Sequence, residues 1–483
     1  MSTSLKGKFI SGTLWTISQN IILTLLGIVQ LAVTSRLLSP LDFGIYAIAL
    51  FFSGLGSKAF AMGLSIALIQ KKGKIEGYFD TVWSVSILVA TSAILLLLLL
   101  LFPICHFFYH LDEAVIPSMV ILIGTIFSAA GNPATIYFLK DIKLKKYFIL
   151  NVVPKILSFI LVLIGAYLLK SYWALIIAIV AEHFLHFIFS FILISYKPRF
   201  KIDKKQFYEL YSFGGWLQLK NIFAWLAGNI DVAIVGNALG PLSLGLYNRA
   251  QSISNYPRTF IDSVINNVAY PLYSQINDDL ERTKTIILKI QNVVLFFISI
   301  LAVIVILYGD WIVLIVLGSS WMQMVTPFKI IFIAYLFHSI LLSFNPVFRS
   351  FGFSKQEFKF YSIEIIGMIM LMYPFTKLWD LTGTGVSILV SIILIFPYLI
   401  HELEKKTHLS FLPIFKSIVI TIVSISFTCS AMWFVPKTDS IILVLVGMFL
   451  SVVILLLLFV SIALLFHIGP GLYVINLMKK RHV

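Results

Sequence analysis

The sequence predicts an all-α integral membrane protein of about 14 transmembrane helices, arranged as two parallel six-helix repeats followed by two further helices. Three observations predict it. The chain of 483 residues is 60% hydrophobic and only 12% charged, with a mean hydropathy of +1.00, a balance that soluble chains of this length do not carry. Apolar runs long enough to cross a bilayer follow one another along the whole length. The segment LSPLDFGIYAIA at 38–49 returns as LGPLSLGLYNRA at 239–250. Their offset of 201 matches Leu38 with Leu239, Pro40 with Pro241, Leu41 with Leu242, Gly44 with Gly245, Tyr46 with Tyr247 and Ala49 with Ala250. The same offset carries Trp15 onto Trp216 and Asn20 onto Asn221. A repeat of this kind marks an internal duplication, which in membrane chains is most often the signature of a transporter.

The spans follow in order. The first, 10–34, contains Ser18, Gln19 and Asn20 and is too long for the apolar core of a signal peptide, so it is retained. The second, 43–69, carries Lys58. The third, 81–104, contains seven consecutive leucines at 95–101, a lipid-facing composition. The fourth is 114–139. The fifth, 148–169, carries Lys155, and the sixth, 171–196, carries Glu182, His183 and His186. The seventh, 211–236, holds Gln218, Lys220, Asn221, Asn229 and Asp231. The eighth, 243–275, holds Asn248, Arg249, Gln251, Asn255, Arg258, Asp262 and Asn266. Spans 286–307, 327–351 (with His338 and Arg349), 358–376 (with Glu364) and 383–401 complete the second repeat. Spans 413–434 and 440–467 lie outside the duplication. Ile441–Leu465 has no charge, which predicts packing on the outside against lipid.

An even repeat of six spans gives both copies the same orientation. The predicted organisation is a first lobe at 1–196, a basic cytoplasmic linker at 197–210, a second lobe at 211–404, and the last two spans with a basic tail at 405–483. The formal net charge is +15. With the N-terminus inside, lysines and arginines gather in the cytoplasmic segments, from Lys6 and Lys8 through Lys71, Lys72, Lys74, the linker and Lys479, Lys480, Arg481. The opposite links carry Arg36, Lys170, Lys377 and Lys437. That asymmetry is the positive-inside pattern and puts both termini in the cytoplasm. Positive charge dispersed over short segments also excludes a nucleic-acid-binding face.

Each charge at mid-membrane costs about 2.5–3.5 kcal/mol on insertion scales, so intramembrane ions require pairing, hydration or function. The polar helices are the first two of each repeat, and such pairs would line a central space between the lobes. Lys58, Lys220, Arg249 and Arg258 are the candidate anion-binding residues. Arginine takes phosphate through paired hydrogen bonds and lysine as a point charge. Asp231, Asp262, Glu182 and Glu364 are the candidate ion-coupling residues. Lys220 and Asp231, eleven apart, share one stripe. Arg258 and Asp262, four apart, can also neutralise each other. Lys155 and Arg349, near span ends, are expected to snorkel. Glu182 and His186, one turn apart, are expected to make a structural hydrogen bond, and His338 alone carries no assignment. Cys105 and Cys429 imply no disulfide, and no metal-ligand spacing or Gly-rich phosphate loop occurs, so neither cofactor nor metal is expected. No extracytoplasmic loop is long enough to carry the chemistry of a membrane polymerase or ligase.

SGTLWTISQN at 11–20, SRLLSPLDFGIYAIAL at 35–50, GLSIALIQKK at 63–72 and the stretch 228–276 resemble the polysaccharide-transporter branch of the MOP exporter superfamily, the Wzx-type flippases. The resemblance implies two six-helix lobes with two extra C-terminal helices. It implies a transporter, not an enzyme, in the bacterial cytoplasmic membrane. The implied substrate is an undecaprenyl-diphosphate-linked oligosaccharide, moved by alternating access with coupling to an ion gradient. Polysaccharide polymerase and chain-length machinery are the implied partners. By position, Asp231 and Arg249 match the family-like N-x-D and Y-x-R-A patterns. A peptidoglycan-precursor flippase and a MATE-type drug exporter are the alternatives within the superfamily. The cation-rich composition of the polar helices disfavours the latter's cationic substrates.

Overall fold

The computed structural model describes residues 5–60, 64–71, 73–211, 222, 225–226, 228–276, 279–351, 354–407, 410, 412–433 and 440–466. Among these every regular element is helical and no strand occurs. The chain divides into two compact units, Met1–Asn248 and Arg249–Val483.

The first unit contains α1 (Leu5–Leu37), α2 (Pro40–Phe60), α3 (Leu64–Gln70), α4 (Phe79–Pro103), α5 (Val115–Gly124), α6 (Ile126–Ala129), α7 (Tyr137–Lys140), α8 (Leu144–Leu169) and α9 (Trp173–Ile192). The helical residues 204–211, here α10, and the first part of α11 (Ile230–Ile276) also belong to it. The second unit holds the rest of α11, α12 (Leu280–Val316), α13 (Val325–Leu342), α14 (Asn345–Ser350), α15 (Ser354–Thr407), α16 (Leu412–Trp433) and α17 (Ile441–Phe466). Within the first unit α8 packs on α1 and α9, and α2 packs on α4 and α5. Within the second, α13 packs on α15, and α16 and α17 pack on α12 and on each other. Buried Ser417, Thr421, Ser424 and Thr428 recur along α16, the small-residue stripe by which helices approach closely in lipid. Ile442, Leu443, Leu445 and Phe449 of α17 are exposed, as the uncharged sequence predicts.

Twelve continuous described helices are long and apolar enough to cross a membrane. Two of the long helices contain a turn, and most of the predicted span 211–236 lies outside the described residues. In α15, Asp380 takes φ 51°, ψ −141° beside Trp379 at φ −132°, ψ 23°. Thr376 and Thr384 then share a hydroxyl–hydroxyl hydrogen bond of 2.8 Å, whereas eight residues of straight helix would separate them by about 12 Å. The chain therefore turns back, and 358–376 and 383–401 are distinct spans, as predicted. In α11, Gly240 takes φ 78°, ψ −178°, a left-handed φ that glycine adopts without steric cost. Tyr247 there meets Asp231 at 2.6 Å, where a straight helix would hold them about 24 Å apart. The arm 230–239 is thus the end of the predicted span 211–236. Most of the remainder of that span, with Lys220 and Trp216, lies outside the described residues.

In the predicted span 43–69, α2 and α3 are described and 61–63 lie outside the described residues. The run 114–139 divides at Thr125 and again at Asn132–Pro133. There the Asn132 side chain accepts from Ala134 N at 3.1 Å and caps a new turn.

Residues 196–210 do not hang free. Arg199 N donates to Asp80 Oδ1 (2.8 Å), Lys201 N to Ser84 Oγ (2.9 Å) and Asp203 N to Thr81 Oγ1 (3.1 Å). Alternate backbone N–H groups of an extended chain point to one side, and here that side is the first two turns of α4. Asp203 accepts from Lys205 N and Gln206 N and caps α10. Leu210 then packs with Leu64, Leu68 and Phe79. Glu209 pairs with Lys71 and accepts from Tyr78 Oη at 2.8 Å. Lys71 holds the Glu209 carboxyl below its ordinary range by donating to it. Burial and the bond to Asp80 push the Tyr196 phenol up to about 12.

Candidate functional site

The duplicated motifs meet in the first unit. In the first copy, Ser39 caps α2 with a reciprocal box. Ser39 N and Oγ donate to Asp42 Oδ2 at 2.9 and 2.6 Å, and Asp42 N donates back to Ser39 Oγ at 3.3 Å. Asp42 Oδ1 also accepts from Tyr172 N at 2.9 Å, tying this turn to the start of α9. In the second copy, Gly240 and Ser243 stand at the Ser39 and Asp42 positions, and the turn uses glycine geometry in place of the box.

The two copies touch through their glycines. A Cβ on Gly44 would lie 1.8 Å from the Pro241 carbonyl oxygen, and a Cβ on Gly245 would lie 1.8 Å from the Pro40 carbonyl oxygen. Gly44 and Gly245 are equivalent in the repeat, and so are Pro40 and Pro241. The contact is reciprocal, the arrangement that a two-fold operation between like surfaces generates. The same motif that reveals the duplication in the sequence forms the seam between its copies. Nearby, Phe51 packs on Trp225 with ring centroids 5.1 Å apart, and Asn237 Nδ2 donates to Phe108 O at 2.5 Å.

The predicted charged residues fall into four settings. Lys58 lies on α2 and is exposed. Lys220 is outside the described residues. Arg249 is buried at the start of the second unit. Asp231, 1% exposed, accepts the Tyr247 hydroxyl, and its Oδ1 lies 2.9 Å from Val232 N. It therefore holds the α11 hairpin closed, a role that the position of Asp231 in the sequence does not disclose.

Lys155 does not snorkel. Its Nζ pairs with Glu182 Oε2 at 2.8 Å, and Ser158 Oγ lies 3.4 Å from the same oxygen. Lys155 faces α9 because α8 and α9 pack along their length, and an inward pair costs less than two separate ions in hydrocarbon. The structural bond expected between Glu182 and His186 is replaced by this one, while His183 Nδ1 bonds Ser128 Oγ at 2.9 Å.

The densest cluster is in the second unit. Arg258 Nε lies 3.8 Å from Asp262 Oδ2, and its guanidinium stacks 4.9 Å from the Tyr335 ring centroid. His338 Nε2 lies 2.8 Å from Glu364 Oε1. His338 is buried on α13, so its partner comes from α15, the helix packed against it. This pair was missed in the sequence, because His338 and Glu364 are 26 positions apart and no local spacing links them. Arg349, at the end of α14, is exposed. Among the described residues no group of His, Cys, Asp and Glu could hold a metal ion.

Residues 33–326 match the family described as "Polysaccharide biosynthesis protein". The chain is 23% identical over 405 residues to an uncharacterized membrane protein in the cps region of Klebsiella pneumoniae, covering 80% of each. It is 23% identical to the lipopolysaccharide biosynthesis protein WzxC of Escherichia coli, covering 70% of this chain and 69% of that one. Its fold is similar to that of the lipid II flippase MurJ in an inward closed conformation. The TM-score is 0.73 at 15% identity, over 94% of this chain and 99% of that one.

Proposed function

Because the chain belongs to the polysaccharide biosynthesis protein family, we propose that it is a membrane flippase for oligosaccharide repeat units linked to undecaprenyl diphosphate. It serves export of a capsule-, exopolysaccharide- or O-antigen-like polymer from the bacterial cytoplasmic membrane, with both termini cytoplasmic. The supporting observation is the reciprocal glycine seam. There the equivalent glycines and prolines of the two copies meet backbone to backbone, with the Phe51–Trp225 ring contact and the Asn237–Phe108 hydrogen bond alongside. Opening and closing of a contact between equivalent surfaces is the kind of motion alternating access uses.

Lys58, Lys220 and Arg249 are assigned to the substrate diphosphate, each a cation in a span that the sequence marks as polar. Arg258, already engaged by Asp262 and Tyr335, is assigned with Asp262 and Glu364 to ion coupling. Asp231 and Glu182 are assigned to structure, given the partners they hold. The flipped repeat unit would pass to polysaccharide polymerase and chain-length machinery.

The test is complementation of polymer export in cells deleted for the gene. Lys220→Ala or Arg249→Ala should abolish surface polymer at unchanged protein level; normal polymer from both sinks the diphosphate assignment. Glu364→Gln should leave substrate binding intact while removing the response of export to the ion gradient. A peptidoglycan-precursor flippase is the second reading, favoured by the extent of the fold likeness to the lipid II flippase. Rescue of lipid II transport with no effect on surface polymer would select it.

A further inference from the structure

The segment fastened to α4 carries a pattern that its fastening does not explain. From 197 to 202 the sequence reads Lys-Pro-Arg-Phe-Lys-Ile, a strict alternation of cationic and apolar residues. In extended chain that alternation puts Lys197, Arg199 and Lys201 on one side and Pro198, Phe200 and Ile202 on the other. The backbone bonds run to α4, so neither side chain set is consumed in holding the segment. Phe200 is 62% exposed and Ile202 42% exposed. In α10, Gln206, Phe207 and Leu210 turn toward the first unit, while Lys204, Lys205, Tyr208 and Tyr211 are exposed. Tyr208 is 67% and Tyr211 40% exposed.

Depth identifies what covers this face. Phe200 lies between Arg199, whose carbonyl accepts from Ser84 Oγ (3.4 Å), and Lys201, whose N–H donates to the same hydroxyl. Ser84 stands five residues into α4, about 7.5 Å along its axis. The apolar helical run Glu76–Phe108 is 33 residues long, about 50 Å, against a hydrocarbon core of about 30 Å. With the excess length shared between its two ends, the first turns of α4 would reach the headgroup layer, and Phe200 would be held near the edge of the hydrocarbon. Exposed aromatic and aliphatic side chains at that level, beside five cations, form an interfacial element.

We infer that residues 197–211 are a lipid-binding strap. Phe200, Ile202 and Tyr208 enter the boundary of the leaflet on their side, and Lys197, Arg199, Lys201, Lys204 and Lys205 take the phosphates of anionic phospholipids. The inference requires only that the chain is embedded in a membrane, and it stands or falls independently of the transported substrate.

The ties use the backbone N–H groups of 199, 201 and 203, so changes of the lysine side chains leave the strap in place. The full-length chain is purified and placed in vesicles of phosphatidylcholine, alone or mixed with phosphatidylglycerol. Retention of each lipid on the protein is then measured by native mass spectrometry. The triple variant Lys201→Gln/Lys204→Gln/Lys205→Gln should lower the preference for phosphatidylglycerol about tenfold or more. Lys145→Gln, an exposed lysine elsewhere, should not change it. A spin label at Phe200→Cys, on a background of Cys105→Ala and Cys429→Ala, should report oxygen-rich, nickel-poor surroundings in vesicles. Equal lipid retention by variant and parent overturns the inference. So does a label at position 200 that reports water, and that result would leave the face for a soluble protein partner.

Discussion

At the scale of single residues, the intramembrane charges are governed by pairing. Lys155 and Glu182 are each half-buried and joined at 2.8 Å. Removing one partner leaves an uncompensated ion facing a neighbouring helix, whereas removing both leaves apolar surface. Lys155→Met or Glu182→Leu alone should therefore cost about 1–3 kcal/mol, read as a drop in unfolding temperature in detergent. The double variant Lys155→Met/Glu182→Leu should recover most of that loss. A double variant as unstable as the sum of the singles would show that the pair is not the stabilising unit. The presence of these charges was legible in the sequence, and so was the possible Arg258–Asp262 neutralisation, because four residues on one helix fix two side chains on one face. The Lys155–Glu182 and His338–Glu364 pairs were not legible, because each joins two helices whose rotation is set by packing.

At the scale of elements, turns decide more than runs. The α11 hairpin pivots on Gly240 and is closed by the Asp231–Tyr247 hydrogen bond. Tyr247→Phe and Asp231→Asn should each lower stability by about 1–3 kcal/mol, with strongly non-additive losses in the double variant. Additive losses would place Asp231 in some other interaction. Hydropathy read the two arms of α15 as separate spans, and the structure separates them by a turn. That turn rests on the backbone at Trp379–Asp380. The equivalent turn of the first repeat is stabilised by the Ser39–Asp42 box, so the duplicated fold is kept by two different local chemistries.

At the scale of the whole molecule, the duplication and its seam are one feature. Gly44 and Gly245 each face a backbone carbonyl too close to admit a methyl group. Gly44→Ala should displace the Pro241 backbone at a cost of about 1–3 kcal/mol, and Gly245→Ala should do the same at Pro40. If separation of the copies belongs to the transport cycle, both variants should impair export more than their loss of stability accounts for. Export that simply tracks protein level would confine the seam to a structural role.

The amino-acid sequence by itself determined the helical class, the positions of most spans and the repeated motif. These are read from hydropathy along one dimension and from residue identity at a fixed offset, and bilayer thickness enforces them locally. Only the tertiary structure decided which charges neutralise which, that the duplicated glycines meet each other, and that the basic segment after α9 is strapped to α4. Those facts join Lys155 to Glu182, His338 to Glu364, Gly44 to Pro241 and Asp80 to Arg199. Such contacts depend on how each helix is rotated and which neighbour it packs against, and no periodicity within a single helix encodes that choice.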